Sequence, residues 1–138
     1  MMKGSDRMNG LLSVIIPAYN EQEMIPKAAA TIAEILEQAE ISYELLFVND
    51  GSRDLSWQCI EEAADQNPSI RGLNFSRNFG KESAMFAGLS EAVGDCVVVM
   101  DCDLQHPPET LIEMYHLWEE GYEVIEGVKH SRGKESAL

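Results

Sequence analysis

With 138 residues, 45% hydrophobic and 25% charged, the chain is sized for one globular domain that buries a core without needing disulfides or metals. Twenty-four acidic against ten basic residues give a net charge of -14, which argues against sequence-independent binding to nucleic acid or anionic lipid, since both rely on Lys and Arg to neutralise phosphates. A phosphate-bearing ligand would need a cation or local backbone dipoles.

Leu11 to Ile16 is a short apolar run rich in branched residues that ends at Pro17, the pattern of a buried strand followed by a loop. The loop is Pro17-Ala18-Tyr19-Asn20. Asn20 and Glu23 have capping-box spacing for a helix from about Glu21 to Glu40, with Ile25, Ile32, Ile35 and Leu36 near one face. Glu44 to Val48 is a second buried strand, closed by the turn-forming Asn49-Asp50-Gly51-Ser52, and a helix follows from about Leu55 to Gln66 until Asn67-Pro68 stops it. Ile70 to Phe75 makes a third strand, and a helix from about Gly80 to Val93 has Gly94 placed as its C-terminal cap. Cys96 to Met100 is the fourth and most hydrophobic strand. Pro107 and Pro108 sit where the first turn of a helix tolerates proline; that helix runs to about Glu120, and Gly121 ends it before a fifth strand at Tyr122 to Glu126.

Strand and helix alternate throughout, and the strands are apolar on both faces. The expected class is therefore α/β, a mainly parallel sheet covered by helices on both sides as a three-layer α/β/α sandwich. Residues 1–10 form a tail, and residues 11–138 a single domain with no internal repeat. The three cysteines, Cys59, Cys96 and Cys102, fall in apolar or strand-like settings and are expected to be buried free thiols of a reducing compartment. No apolar run approaches the roughly 20 residues that span a bilayer, and Met1 to Gly10 lacks the apolar stretch of a signal peptide. The expectation for the chain as given is a soluble, cytoplasmic domain.

In open parallel sheets, ligands bind beyond the carboxyl ends of the strands. Those ends are Pro17 to Glu21, Asn49 to Ser52, Ser76 to Gly80 and Asp101 to Glu109. If the extended backbone continues past Met100, Asp101 and Asp103 project to one side while Cys102 points to the other. Two carboxylates that close repel unless a cation lies between them, and hard ions such as Mg²⁺ or Mn²⁺ prefer oxygen ligands; Gln105 would add a carbonyl oxygen. The plainer alternative is a pair of turn-forming aspartates before the Pro-Pro helix. His106 has the same two readings, metal ligand or loop residue. Asp50 is either a turn residue or an acceptor for a nucleobase N–H or a ribose hydroxyl, and Tyr19 either stacks on a base or is simply packed.

Taken in order, Val14-Ile15-Ile16-Pro17-Ala18-Tyr19-Asn20-Glu21, Phe47-Val48-Asn49-Asp50-Gly51-Ser52, Ser76-Arg77-Asn78-Phe79-Gly80-Lys81-Glu82 and Asp101-Cys102-Asp103-Leu104-Gln105-His106-Pro107-Pro108-Glu109 resemble glycosyltransferase family 2. Within it, the chain is most similar to the polyprenyl-phosphate sugar transferases related to dolichyl-phosphate mannose synthase. The resemblance runs from about Leu11 to the end. It implies the GT-A, Rossmann-like nucleotide-diphospho-sugar transferase fold and an inverting hexosyltransferase that moves a sugar from a UDP- or GDP-sugar to a polyprenyl phosphate in cell-envelope or glycan biosynthesis. It also implies that Pro17, Ala18, Tyr19 and Glu21 line the nucleoside pocket and that Asp50 hydrogen-bonds the base. Asp101, Asp103 and Gln105 would surround a divalent ion holding the diphosphate, with Arg77 and Lys81 near the same pocket; a solvated first-turn charge is the alternative for Lys81. Val128 to Ser136 resembles the basic segment that meets the lipid phosphate or the leaving diphosphate, and Arg132 is its candidate residue; the alternative is a solvated basic tail.

Relatives of that kind continue past Leu138 with acceptor-side and, in many, membrane-spanning helices. The sequence is therefore expected to be the donor-binding part of a longer, membrane-associated protein whose catalytic domain faces the cytoplasm, and the isolated part to be doubtful as a catalyst. Surface left bare by a missing region could also drive homo-oligomerisation. Two other functions compete: a transferase with a saccharide acceptor, and a nucleotide-binding module without catalysis. A dinucleotide-dependent oxidoreductase is disfavoured, because the turn after the first strand holds Pro17-Ala18-Tyr19 and no Gly-x-Gly-x-x-Gly.

Overall fold

Residues 10–122 are described by a computed structural model. Four strands and four helices alternate: β1 (Leu12–Ala18), α1 (Met24–Gln38), β2 (Tyr43–Asn49), α2 (Ser56–Gln66), β3 (Ile70–Asn74), α3 (Lys81–Glu91), β4 (Cys96–Val99) and α4 (Thr110–Glu119). All strand pairs are parallel, in the order β3-β2-β1-β4, with Leu12 opposite both Tyr43 and Cys96. The chain builds outward from β1 through β2 to β3 and then returns to the other side of β1. That reversal opens a crevice beyond the carboxyl ends of β1 and β4, where open α/β sheets hold their ligands.

The period-two pattern of the strands explains the layers. Leu12, Val14 and Ile16 of β1 share one face with Leu45 and Phe47 of β2, and this face packs on Ile25, Ile32 and Leu36 of α1, Ile60 of α2 and Leu111, Tyr115 and Trp118 of α4. Each fully buried Ile or Leu contributes roughly 1.5–3 kcal/mol. The opposite face presents Ile15 and Val48 to Ala84 of α3. Gly88 of α3 lies directly on Ile15, whose methyl a Cβ at this position would strike. The expected three-layer arrangement is thus present, and its core is free of disulfides: Cys96 and Cys102 are buried thiols and Cys59 is half-buried.

Three local expectations are corrected. The Asn20–Glu23 capping box does not form: α1 begins after Glu23 without a side-chain cap, and Asn20, in the left-handed region at φ 53, turns its Oδ1 to the Arg53 N–H instead. Gly94 is not the cap of α3, which ends at Glu91 and leaves through an extended Ala92. Gly94 is needed for close approach, because a Cβ would stand 2.7 Å from the Leu11 carbonyl and 2.8 Å from the Ser13 nitrogen. The prolines precede α4 rather than lying within it, and their carbonyls accept the Thr110 and Leu111 N–H groups. Gly121, at φ 103, does end α4 as expected, while residues 123–126 of the expected fifth strand lie outside the described residues.

Candidate functional site

Beyond the sheet's carboxyl edge lies a cleft of about 230 Å³ lined by Pro17, Ala18, Tyr19, Glu21, Asp50, Lys81, Asp101, Cys102 and Asp103. Its walls come from the ends of β1, β2 and β4 and the first residue of α3, segments up to 86 positions apart in the chain. Every candidate binding residue expected from the first, second and third strand ends, apart from Arg77, is brought together here.

The wall after β1 is held by a reciprocal clasp with the loop after β2. The Ser52 hydroxyl accepts the Asn20 N–H at 2.8 Å, Asn20 Oδ1 accepts the Arg53 N–H at 2.8 Å, and the Ser56 hydroxyl accepts the Glu21 N–H at 2.8 Å. Gln22 Oε1 accepts the Leu55 N–H at 2.9 Å, and Asp54 accepts both the Gln22 N–H and the Ser56 N–H. Burial pushes the Asp54 carboxyl up, but the bonds from Ser56 and Gln22 outweigh it and hold the group below its ordinary value. Sequence reasoning missed Asp54. An aspartate just ahead of a helix start is the available signal.

Glu21 projects into the cleft from this clasp. Desolvation first, and then the charges of Asp103, Asp54 and Asp101, raise its carboxyl above the ordinary value. Tyr19, 45% exposed, stands at the rim of the cleft.

Asp101 and Asp103 meet on the cleft as expected, although not through a continued strand. β4 ends at Val99, the chain turns at Cys102 and Asp103, and Leu104 takes φ 58. Cys102 points into the core at 2% exposure, and burial, followed by the charges of Glu21, Asp103 and Asp101, pushes its thiol up to about 12. Lys81 Nζ lies 2.6 Å from Asp101 Oδ1. Asp103 Oδ1 accepts the Gln105 N–H at 3.2 Å; Gln105 itself is exposed and is not among the lining residues.

The donor set is all oxygen, which suits a hard divalent ion, and the ammonium on Asp101 shows that a positive centre is accommodated there. Among the described residues no three His, Cys, Asp or Glu side chains form a complete metal cage. A cation held by Asp101 and Asp103 would have to take further oxygens from water or from its ligand.

Asp50 is 4% exposed and its carboxylate is already engaged. Oδ1 accepts the Phe79 N–H at 2.8 Å, Oδ2 accepts the Asn78 amide at 3.1 Å, and the Gly80 N–H lies within 3.2 Å of both. It anchors the loop that delivers Lys81, a role its turn-like sequence did not announce. Arg77 stands apart from the lining residues, with its guanidinium 4.3 Å from the centre of the Phe79 ring. His106 is half-buried in the loop before α4 and does not line the cleft, and Arg132 lies outside the described residues.

Residues 13–137 match the family model of glycosyl transferase family 2. The chain is 43% identical over 124 residues to the uncharacterised glycosyltransferase YkcC of Bacillus subtilis, an alignment covering 90% of this chain and 38% of that protein. It is 37% identical over 127 residues to the bactoprenol glucosyl transferase of Shigella phage SfV, covering 92% of this chain and 41% of the relative. The mannosyltransferase PcManGT from Pyrobaculum calidifontis, solved with GDP-Man and Mn²⁺, matches with a TM-score of 0.66 at 24% identity, over 80% of this chain and 34% of its own. TarS of S. aureus, solved with UDP-GlcNAc, matches with a TM-score of 0.60 at 25% identity, over 79% and 31%. The chain thus spans about two fifths of the length of these curated relatives.

Proposed function

The chain belongs to glycosyl transferase family 2, and from that membership we propose that it is the nucleotide-sugar-binding part of an inverting hexosyltransferase that transfers a sugar from a UDP- or GDP-sugar to a polyprenyl phosphate. Its fold is GT-A, the α/β arrangement of the matched transferases. The observation that carries the reading is the meeting of Asp101, Asp103 and Lys81 with the Pro17–Glu21 wall in one cleft at the sheet's switch point. A relative that glucosylates bactoprenol, aligned over nearly the whole of this chain, supports the lipid-phosphate acceptor. No described helix is long and apolar enough to cross a membrane.

Tyr19 stacks on the base and Pro17, Ala18 and Glu21 close around the nucleoside. Asp101 and Asp103 hold a divalent cation, Mg²⁺ or Mn²⁺, which when bound acts as a Lewis acid on the charge that the departing diphosphate gains. Gln105, expected as a third oxygen ligand, is exposed and outside the cleft lining, so the remaining oxygens come from water or the diphosphate. Lys81 faces the diphosphate, and Asp50 presents whatever lone-pair capacity the Asn78–Gly80 loop leaves it to the base. Arg132, in the basic segment expected to meet the acceptor, is assigned to the lipid phosphate. An acceptor that is already an oxyanion needs no general base, and Asp101 and Asp103 are then left for the cation and Asp50 for loop anchoring.

Calorimetric titration of UDP and GDP, with and without Mn²⁺, into the wild-type chain and Asp103→Ala tests this reading. Cation-dependent binding of one nucleotide, lost in the variant, is the expected result and identifies the base. Absence of binding of both nucleotides under all conditions would overturn it.

A further inference from the structure

We propose that the Lys81 ammonium and the divalent cation occupy the Asp101 carboxylate in turn, Lys81 being released towards the diphosphate as the cation arrives. This rests on the donor-site reading above and adds an order of events to it.

The geometry has three parts. First, Lys81 Nζ sits 2.6 Å from Asp101 Oδ1, so the ammonium already occupies the carboxylate that a cation would need. Two positive centres on one carboxylate repel, so each weakens the hold of the other. Secondly, the two partners differ in freedom. The Lys81 side chain is 56% exposed and Asp101 only 26%, so the ammonium swings on its flexible stem while the carboxylate stays. An ion pair with so exposed a partner is weak and readily exchanged.

Thirdly, the root of Lys81 is fixed although its tip is not. The residues just before it are tied to Asp50 by the Phe79 and Gly80 N–H groups, and Gly80, at φ 106, sets the entry into α3. A lysine rooted there and displaced from Asp101 remains over the cleft that both residues line. In the absence of a cation, the same ammonium offsets one of the negative charges of the acidic cleft and so lessens its repulsion of an anionic ligand.

The test compares the wild-type chain with Lys81→Met and Asp101→Asn. Mn²⁺ alone is titrated into each, followed by the free-ion electron paramagnetic resonance signal, and UDP and GDP are then titrated at saturating Mn²⁺. Lys81→Met is expected to bind Mn²⁺ alone about tenfold more tightly than wild type, a change of about 1.4 kcal/mol, yet to bind the nucleotide more weakly; Asp101→Asn loses the ion. Unchanged or weaker Mn²⁺ affinity in Lys81→Met, with cation-dependent nucleotide binding intact in wild type, would overturn the exchange and leave the donor site standing. Tighter Mn²⁺ with undiminished nucleotide binding would overturn the hand-over to the diphosphate. If neither wild type nor Lys81→Met takes up Mn²⁺, with nucleotide or without, both readings fall.

Discussion

The Ser13 hydroxyl donates to Glu44 Oε2 at 2.6 Å between residues that are direct register partners on β1 and β2, at the end of the sheet opposite the cleft. Glu44 also accepts the Val93 N–H at 2.9 Å and the Arg71 guanidinium at 3.0 Å, and Arg71 reaches on to the Glu91 carbonyl. One buried carboxylate therefore ties together three strands and the exit from α3.

Burial pushes the Glu44 carboxyl up, but the bonds from Ser13, Val93 and Arg71 prevail and hold it below its ordinary value. A carboxyl depressed in the folded state contributes stability that is present above its unfolded pKa and lost as pH falls through the folded one. Wild type should therefore lose stability on acidification below about pH 4.3, the ordinary glutamate value, and Glu44→Gln should lose less over that window. At neutral pH Glu44→Gln should be destabilised by about 1–3 kcal/mol through its weakened bonds. Urea denaturation across pH checks both statements.

Asp50→Ala removes the acceptor for the Phe79 and Gly80 N–H groups and for the Asn78 amide. Loss of these charge-assisted bonds should cost about 1.5–3 kcal/mol. Hydrogen exchange should accelerate at Phe79 and Gly80 and stay unchanged at Leu45 and Phe47 in the sheet centre. Protection retained at Phe79 and Gly80 would mean that Asp50 does not anchor the loop.

Gly51→Ala meets two penalties at once. Its φ of 69 lies in the left-handed region, and a Cβ would collide with the backbone of Arg77 and Asn78. The conformational cost alone is about 1–3 kcal/mol, and the collision adds to it by forcing the loops after β2 and β3 apart. A lower denaturant midpoint, with weaker nucleotide binding in the fraction that stays folded, is the expected outcome.

Cys102, 2% exposed and with its thiol pushed up to about 12, should resist iodoacetamide at pH 8 in the native protein and react at the ordinary rate in denaturant. Mass spectrometry of the alkylated peptides gives the two rates. Prompt native labelling would show that the turn carrying Asp101 and Asp103 opens readily.

The alternation of elements was legible in the sequence because buried parallel strands must be apolar on both faces, and the runs at Leu11–Ile16, Glu44–Val48 and Cys96–Met100 leave little other choice. Strand ends were legible to within two residues from the polar or proline positions that close those runs, although β1 continues through Pro17 to Ala18 and β2 through Asn49. Strand-end position and spacing single out Tyr19, Asp101 and Asp103 with a plainer turn or packing reading beside each, and the family resemblance is what favours the binding role and adds Glu21. What only the tertiary structure decided is who faces whom. The order β3-β2-β1-β4 brings Asp101 to the side of Glu21, 80 positions away in the numbering, and sets Lys81 on Asp101. It also turns Asp50 into an anchor for residues 78–80, draws Asn20 away from α1 to Arg53, and makes Gly94 a point of contact with β1. Periodicity records which side of its own element a residue occupies. It carries no information about which other loop lies across from it, because that depends on strand order and register, and those are settled by the packing of the whole core.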